Sequence, residues 1–354
     1  MNRDAGVPLW GWACCCGLAL LALIGATLGV TSATLSRVNS LPTSGTVYRS
    51  HVLYDFASLG YGVEGVVIGP DGAMYVTTAL TFGAAVNDTR PVWRFEADHH
   101  TPTRYAELPT TYGCSGCDFD QHGNLYVVCN TGSPATGTGK LVKIGPGASS
   151  IDLNFVSRAA SQFSGVVSDR RALLYLTDRL NDVIYTVNAS GSLAVWSNDT
   201  QFATPVPFGL NDININPIEP AIYTVVTVFP PPAHSKLLRV AIESDGSAAA
   251  AQTVSFGSAL ADGFDGLSAV RNNRFLYFTA SDLVASERAS VIVYDTFSRE
   301  TIVLIKESSS TLVPSDVVDG QFFGANQKFK DNFYVIDFFR TSAPTSGVIV
   351  YTPV

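Results

Sequence analysis

The chain has 354 residues, enough for two or three ordinary domains or for one large repetitive domain. Only 15% of the residues are charged, and 30 are glycine, which favours many short strands joined by tight turns over a helical bundle, a coiled coil or a disordered chain. A formal net charge of −8 argues against nucleic acid as a partner, because phosphate binding needs concentrated Lys and Arg.

The first predicted element is an apolar run from Val7 to Val30, 24 residues without a charge. A spanning helix needs about 20 apolar residues, so residues 1–30 are predicted to be an uncleaved signal anchor with a cytoplasmic N-terminus. The alternative is a cleaved secretory signal peptide, for which Thr31-Ser32-Ala33 offers small residues at the cleavage site. Either way the rest of the chain enters the secretory pathway, as a single-pass membrane protein held through its N-terminal segment or as a secreted one.

A Ser/Thr-rich linker, residues 31–45, precedes a sequence that repeats about every fifty residues. Each copy has a small or polar opening pair, a short apolar strand, a turn and a strand with an aromatic residue, as in EGVVIGPDGAMYVTT. A second pair of short strands follows, such as KLVKI and IDLNF. The six copies start at Glu64, Ser115, Ser164, Asn211, Asp265 and Ser315, which are 51, 49, 47, 54 and 50 residues apart.

Four strands in about fifty residues are typical of a propeller blade, so the repeat predicts an all-β, six-bladed β-propeller over residues 46–354. The last copy ends with its third strand, GVIVYTPV, at Val354. The remaining strand lies at the other end of the propeller sequence, Thr46 to Phe56. It is predicted to complete the sixth blade as its outermost strand and so to close the ring.

Cysteines and sequons fit an oxidising compartment. The C-x-x-C at Cys114 and Cys117 lacks a second ligand pair for zinc, so one disulfide and one buried thiol are expected among Cys114, Cys117 and Cys129. Asn87, Asn188 and Asn198 lie in N-glycosylation sequons, which would make the protein a glycoprotein on the lumenal side.

The first strand of each blade lines the central channel, so the residues that open the six repeats are expected to converge at one end of the axis. They are two carboxylates, one amide and three hydroxyls. Hard cations prefer such all-oxygen surroundings, and calcium in particular takes carboxylates, amides and water. The simpler alternative is that these are polar residues of the kind that commonly open strands.

Four segments carry a resemblance to a known family. GVEGVV at 62–67, LND at 210–212 and FDGL at 264–267 resemble the ligand-bearing motifs of the senescence-marker-protein/gluconolactonase family. GCSGCDFDQHGNLY at 113–126 resembles a hairpin of diisopropylfluorophosphatase, from the same superfamily. The resemblance implies a six-bladed propeller with an axial divalent cation, usually calcium, that hydrolyses lactones, esters or phosphotriesters.

Carried over by position, the resemblance implies that Glu64, Asn211 and Asp265 are metal ligands and that Asp265 also acts as general base or nucleophile. The third-blade ligand, an asparagine in the family, is Ser164 here, a shorter and weaker ligand. The expected function is therefore a calcium-dependent hydrolase of small lactones or esters. The alternative is a non-catalytic propeller, secreted or membrane-anchored, that binds a protein or a glycan.

Overall fold

Antiparallel four-stranded sheets are the building unit of the protein. The computed structural model describes residues 46–81, 83–133, 137–169, 173–204, 209–216, 218–228, 235–254, 263–270, 274–280, 290–306, 313–320, 323–324, 331–338 and 346–354. Within these ranges the chain forms strands β1 to β24 in six sheets, and the sheets are the six blades predicted from the repeat.

The first five blades each take four consecutive strands. Blade 1 consists of β2 (Tyr61–Ile68), β3 (Met74–Thr81), β4 (Arg90–Phe95) and β5 (Thr103–Leu108). Blade 2 consists of β6 (Tyr112–Phe119), β7 (Leu125–Thr131), β8 (Thr138–Ile144) and β9 (Ile151–Ala159). Blade 3 consists of β10 (Phe163–Ser168), β11 (Leu174–Asp178), β12 (Val183–Val187) and β13 (Leu193–Ser197). Blade 4 consists of β14 (Gly209–Asn216), β15 (Ala221–Thr227), β16 (Lys236–Ala241) and β17 (Gln252–Thr253). Blade 5 consists of β18 (Phe264–Val270), β19 (Phe275–Ala280), β20 (Ser290–Asp295) and β21 (Thr301–Lys306).

The sixth blade joins the two ends of the propeller. It contains β22 (Pro314–Asp319), β23 (Phe333–Asp337) and β24 (Gly347–Pro353), and its outermost strand is β1 (Tyr48–Asp55). Strand β1 pairs antiparallel with β24, from Tyr48 opposite Pro353 to Asp55 opposite Gly347. The predicted closure is therefore confirmed. Single-turn 3₁₀ helices lie in connections at Ala57–Leu59, Gly83–Ala85, Pro146–Ala148 and Thr200–Phe202.

The first strands of the blades form a closed circle, in which β2, β6, β10, β14, β18 and β22 each contact the next and β22 contacts β2. The hydrophobic core is spread over the blade interfaces: one cluster, for example, combines Val76 and Trp93 of blade 1 with Tyr334 and Val350 of blade 6. The aromatic residue of each repeat lies near the start of the second strand and is at most 3% exposed. These residues are Tyr75, Tyr126, Tyr175, Tyr223, Tyr277 and Tyr334.

The predicted combination of one disulfide and one buried thiol is also present. Cys114 in β6 is bonded to Cys129 in the adjacent β7, and Cys117 is a free, buried thiol. The C-x-x-C is thus not a bonded pair. A disulfide of this kind persists in an oxidising compartment.

The predicted anchor, residues 1–30, and the linker, residues 31–45, lie outside the described residues. In the part of the chain that is described, no helix has the length and apolarity needed to span a bilayer.

Candidate active site on the propeller axis

A bulge in every inner strand shapes the upper end of the channel, which is the end where these strands begin. The pairing of inner and second strands is interrupted at the same repeat position in all six blades. The interruptions lie between Val63 and Val66, Cys114 and Cys117, Phe163 and Val166, Leu210 and Ile213, Phe264 and Leu267, and Pro314 and Asp316. Bulges re-aim side chains, and each of these contains the residue predicted to open its repeat.

Threonines of the second strands hold the bulges of the odd-numbered blades. The Gly65 amide donates to Thr77 Oγ1 at 2.9 Å, that of Gly165 to Thr177 Oγ1 at 2.8 Å, and that of Gly266 to Thr279 Oγ1 at 2.9 Å. In the sequence, each of these hydrogen-bonded pairs can be found from two features. The Thr comes two residues after the buried tyrosine of the repeat, and the Gly directly follows the residue that opens the repeat.

All six predicted ring residues line one small cavity on the axis, with a volume of about 20 Å³. A volume of roughly 10–15 Å³ suffices for one water molecule, so the cavity suits a single water-sized or ion-sized occupant. Besides Glu64, Ser115, Ser164, Asn211, Asp265 and Ser315, the lining contains Gly65, Gly116, Asp212, Gly266 and Asp316. The six residues that open the repeats thus converge at one end of the axis, as predicted.

Hydrogen bonds connect three of the four predicted ligands. Ser164 donates its hydroxyl to Asn211 Oδ1. Asn211 Nδ2 donates to Asp265 Oδ1 at 2.7 Å and to Thr227 Oγ1 at 3.0 Å, and Thr227 in turn donates to the carbonyl of Phe264. This chain of bonds fixes the rotamer of Asn211 and orients the Asp265 carboxylate.

The two other ring serines brace neighbouring blades. Ser115 Oγ donates to the carbonyl of Ser164 at 2.9 Å, and Ser315 Oγ donates to the carbonyl of Glu64 at 2.9 Å. Their hydroxyl protons thus bind backbone of the next blade, which gives Ser115 and Ser315 a role in assembling the ring.

The electrostatics of the cavity favour a positive occupant. Burial raises the pKa of Glu64 to about 7, opposed by the positive charge of Arg179. Burial raises the pKa of Asp265 well above its usual range, and the charges of Glu64 and Asp212 add to that rise, against the hydrogen bond from Asn211 and the charge of Arg179. These influences do not offset the cost of burying a negative charge at either carboxyl group, and a bound cation would reduce that cost.

A second set of channel carboxylates was not anticipated from the sequence. Asp212 accepts from the Leu267 amide of blade 5 at 2.7 Å, and Asp316 accepts from the Val66 amide of blade 1 at 2.8 Å. Lower in the channel, Asp118 accepts from the Ser168 amide of blade 3 at 2.7 Å. Each of the three thus ties the inner strand of its own blade to that of the next.

Asp212 and Asp316 also connect the small cavity to a larger one below it. The lower cavity has a volume of about 350 Å³, and Gly116, Asp212 and Asp316 line both. Burial raises the pKa of Asp118 and of Asp212 to about 7 and that of Asp316 well above its usual range, although each carboxylate accepts backbone amides.

The donor set at the upper cavity fits a hard divalent cation in its chemistry. It contains the carboxylates of Glu64 and Asp265 and the amide of Asn211, all on the wall of a cavity of ionic size. Among the described residues, no three His, Cys, Asp or Glu side chains are drawn together as a ready-made metal cluster. The fit therefore rests on mixed oxygen donors, including an amide and hydroxyls.

The remaining predicted residues lie away from the axis. Asn87, Asn188 and Asn198 are exposed, as glycosylation requires. The described histidines, His51, His99, His100 and His122, are exposed on an outer strand, a connection and a hairpin turn, so none of them lines the axial cavity. His234 lies outside the described residues.

No protein-family model matches the chain, and no curated protein sequence is similar to it. Solved structures do match. A putative gluconolactonase is 11% identical, with a TM-score of 0.54 over 86% of this chain and 92% of that one. The periplasmic gluconolactonase of Pseudomonas aeruginosa is 13% identical, with a TM-score of 0.52 over 82% and 85% of the two chains.

A putative oxidoreductase (glucose dehydrogenase) from Thermus thermophilus is 13% identical, with a TM-score of 0.53 over 86% of this chain and 100% of that one. The names of these neighbours describe different reactions, so the likeness concerns the fold and leaves the chemistry to the site. The resemblance predicted from the sequence is confirmed at that level: the chain has the six-bladed propeller fold of the gluconolactonase-like proteins.

Proposed function

We propose that the protein is a metal-dependent hydrolase of small lactones or carboxylic esters, with calcium as the cation and its active site at the upper cavity. The observation that carries the proposal is the convergence of Glu64, Asn211 and Asp265 on the wall of one ion-sized cavity, where burial raises the pKa of both acidic residues of this set. The gluconolactonase names of two structural neighbours agree with this reaction class.

The ligands would be Glu64, Asn211 and Asp265, with Ser164 as a weak fourth donor or as the partner of a bridging water. Calcium would supply Lewis-acid polarisation of the substrate carbonyl. The positive charge of such an ion would offset the negative charges of the buried carboxylates and the repulsion between them.

Asp265 acts as the general base in this proposal. Its carboxylate takes a proton from the water that attacks the carbonyl carbon, and it returns that proton to the alkoxide oxygen when the ester C–O bond breaks. The products are one alcohol group and one carboxylic acid, which are joined in a hydroxy acid when the substrate is a lactone. The Asn211 amide, whose Nδ2 donates to Asp265 Oδ1 at 2.7 Å, holds the accepting group in place.

The first experiment is calcium-dependent thermal stabilisation of the purified propeller, combined with turnover of a lactone and aryl-ester panel. Calcium is expected to raise the Tm of the wild-type protein and to be required for turnover. Glu64→Gln and Asp265→Asn, which keep side-chain shape and remove charge, are expected to lose both responses.

Asp118→Asn is the matched control, because it neutralises a buried channel carboxylate outside the upper cavity. This variant is expected to keep the calcium response. If chelator leaves both the Tm and the turnover of the wild-type protein unchanged, the hydrolase proposal fails, and a binding propeller without catalysis becomes the better account.

We further propose that the protein works in an exported location, as an anchored or secreted glycoprotein. The disulfide between Cys114 and Cys129 and the exposure of Asn87, Asn188 and Asn198 support this location. Mobility shifts on glycosidase treatment, lost in Asn→Gln variants of these three residues, would test it in a eukaryotic host.

A further inference from the structure

The lower end of the propeller, where the inner strands finish, carries the most exposed large apolar side chains among the described residues. Phe297 is 84% exposed, Ile218 and Val354 are each 70% exposed, and Val47 is 66% exposed. Ile218 lies in the turn after β14 and Phe297 in the turn after β20, and both of these strands run toward the lower end. Val47 directly precedes β1, and Val354 directly follows β24. These four residues form the lower rim, and their concentration at one end marks an interaction surface.

Polar contacts join the two turns of the lower rim that lie on blades 4 and 5. Asn216 Nδ2, at the end of β14, donates to Thr296 Oγ1, just after β20, at 3.1 Å. Arg299 and Glu219 form an ion pair at 3.0 Å between the same two turns. The exposed apolar side chains are therefore presented by turns that are fixed to one another.

The chain also enters the propeller at the lower rim. Strand β1 begins with Tyr48 opposite Pro353, and the Val354 amide donates to the Val47 carbonyl at 2.9 Å. Residues 1–45 precede this point and include the 24-residue apolar run. An anchor in that segment would raise the local concentration of lipid surface around the lower rim. Apolar contacts that bind a membrane weakly by themselves become effective as the second of two attachments.

The charges at the lower end indicate which lipid headgroups fit it. Four aspartates line the wide opening of the channel at this end, namely Asp71, Asp118, Asp120 and Asp169. The guanidinium of Arg274 lies 5.5 Å from the centre of the Phe297 ring and is paired with Asp295 at 2.6 Å, so its charge is already balanced. An acidic surface repels anionic lipids, which are typical of the cytoplasmic leaflet. Phosphatidylcholine carries no net charge and avoids this repulsion.

We propose that the lower rim rests on a phosphatidylcholine surface, with the side chains of Ile218 and Phe297 inserted among the lipids. The upper cavity then faces away from the membrane, and substrates reach it from the aqueous side. The rim side chains stand on separate turns, which a fluid lipid layer can surround one by one, whereas a protein partner needs a continuous complementary face. The inference goes beyond the hydrolase proposal and does not depend on it.

Asn188 indicates which side of the lower end makes the contact. It follows β12, so its sequon lies at the lower end of blade 3, and the residue is exposed. A hydrophilic glycan at this position would be excluded from lipid. The contact is therefore assigned to blades 4 to 6, which carry the lower rim.

Photocrosslinking of the full chain in phosphatidylcholine nanodiscs tests what occupies the lower rim. The photoreactive residue p-benzoyl-phenylalanine replaces Phe297, and mass spectrometry identifies the adducts. Matched controls carry the same probe in place of Val86, which is 55% exposed in the upper connection of blade 1, or of Val195, which is 60% exposed on the outer strand β13. The lipid adduct formed from the rim probe is expected to exceed that of either control by about fivefold or more.

Substitutions near the rim probe test whether the apolar side chains act together. Ile218→Ser is expected to lower the lipid adduct of the rim probe by about threefold, because it removes a neighbouring inserted side chain. Val195→Ser is expected to leave that adduct unchanged. Both side chains are exposed, so both variants are expected to keep the Tm of the wild-type protein. Replacing part of the phosphatidylcholine by phosphatidylserine is expected to leave the adduct unchanged or to reduce it.

Three results would overturn the inference. Equal lipid adducts from all three probes would show that the lower rim has no preferred contact with the membrane. A covalent dimer in place of the lipid adduct would assign the rim to a second copy of the chain. An adduct that increases with phosphatidylserine would contradict the zwitterionic partner. Calcium binding and lactone turnover enter none of these measurements, so the hydrolase proposal stands or fails separately.

Discussion

Ser164 is the ring position at which the chain departs from the family it resembles, and its contacts show what the departure does. Its hydroxyl donates to Asn211 Oδ1, the oxygen that would otherwise be fully available to a cation. A serine here therefore weakens the proposed cation site in two ways. Its own oxygen reaches less far than an asparagine carbonyl would, and its hydroxyl proton uses a lone pair of Asn211 Oδ1.

Restoring an amide at this position is expected to strengthen cation binding. Ser164→Asn would place a longer carbonyl donor toward the upper cavity and would release Asn211 Oδ1, so calcium affinity measured by calorimetry should rise by about tenfold. Ser168→Asn makes the same change at the lower end of β10 and is expected to have no such effect. A stable Ser164→Asn protein with unchanged or weaker calcium affinity would show that blade 3 contributes no ligand.

The inner strand, as an element, depends on glycine next to its opening residue. A Cβ atom on Gly65 would lie 2.2 Å from the Ser115 carbonyl oxygen and 2.9 Å from its carbonyl carbon, both of which are backbone atoms of the adjacent blade. Such contacts cannot be relieved by turning a side chain. Glycine thus permits the close approach of blades 1 and 2 that brings the ring residues together.

Gly65→Ala is accordingly expected to destabilise the propeller by about 3 kcal/mol, within the range of severe packing changes. Chemical denaturation monitored by tryptophan fluorescence would measure the loss in free energy of unfolding. Gly147→Ala is the control, because a Cβ atom there would meet nothing within 4 Å. Only its left-handed backbone, with φ +62°, would be strained, which is expected to lower the free energy of unfolding by about 1 kcal/mol. Equal losses in the two variants would contradict the proposed crowding at the channel.

The inner strands also show which parts of the fold and of the candidate site can be predicted from the sequence. The repeat predicts blade number, strand order and closure by β1, because each blade must bury the same aromatic side chain, as at Tyr75 and Tyr126, and leaves the same signature. It also identifies one ring residue per blade. It does not reveal Asp212 or Asp316, since strict alternation would turn adjacent residues to opposite faces, and only the bulge brings Asp212 beside Asn211 in one cavity.

At the scale of the whole molecule, closure of the ring gathers acidic groups that the unfolded chain keeps apart. Asp212 ties blade 4 to blade 5, Asp316 ties blade 6 to blade 1, and Asp118 ties blade 2 to blade 3. Glu64 and Asp265 add two more carboxylates within the same channel. The bonds that hold neighbouring blades are therefore made by groups whose ionisation the channel opposes, and a cation bound in the channel is expected to stabilise the ring.

Metal-free protein is consequently expected to lose stability as the pH rises from about 5 to 8. Burial raises the pKa of Glu64, Asp118 and Asp212 to about 7, above the usual values of 4.5 for Glu and 3.8 for Asp in an open chain. The folded state therefore holds protons that the unfolded state has released, and this contribution is complete below about pH 4 and is lost as the pH passes 7. In chelator, the Tm is expected to fall by on the order of 5 °C across this window, and saturating calcium should flatten the curve. A chelated protein whose Tm is constant or rises from pH 5 to 8 would contradict the account of the channel as uncompensated acid.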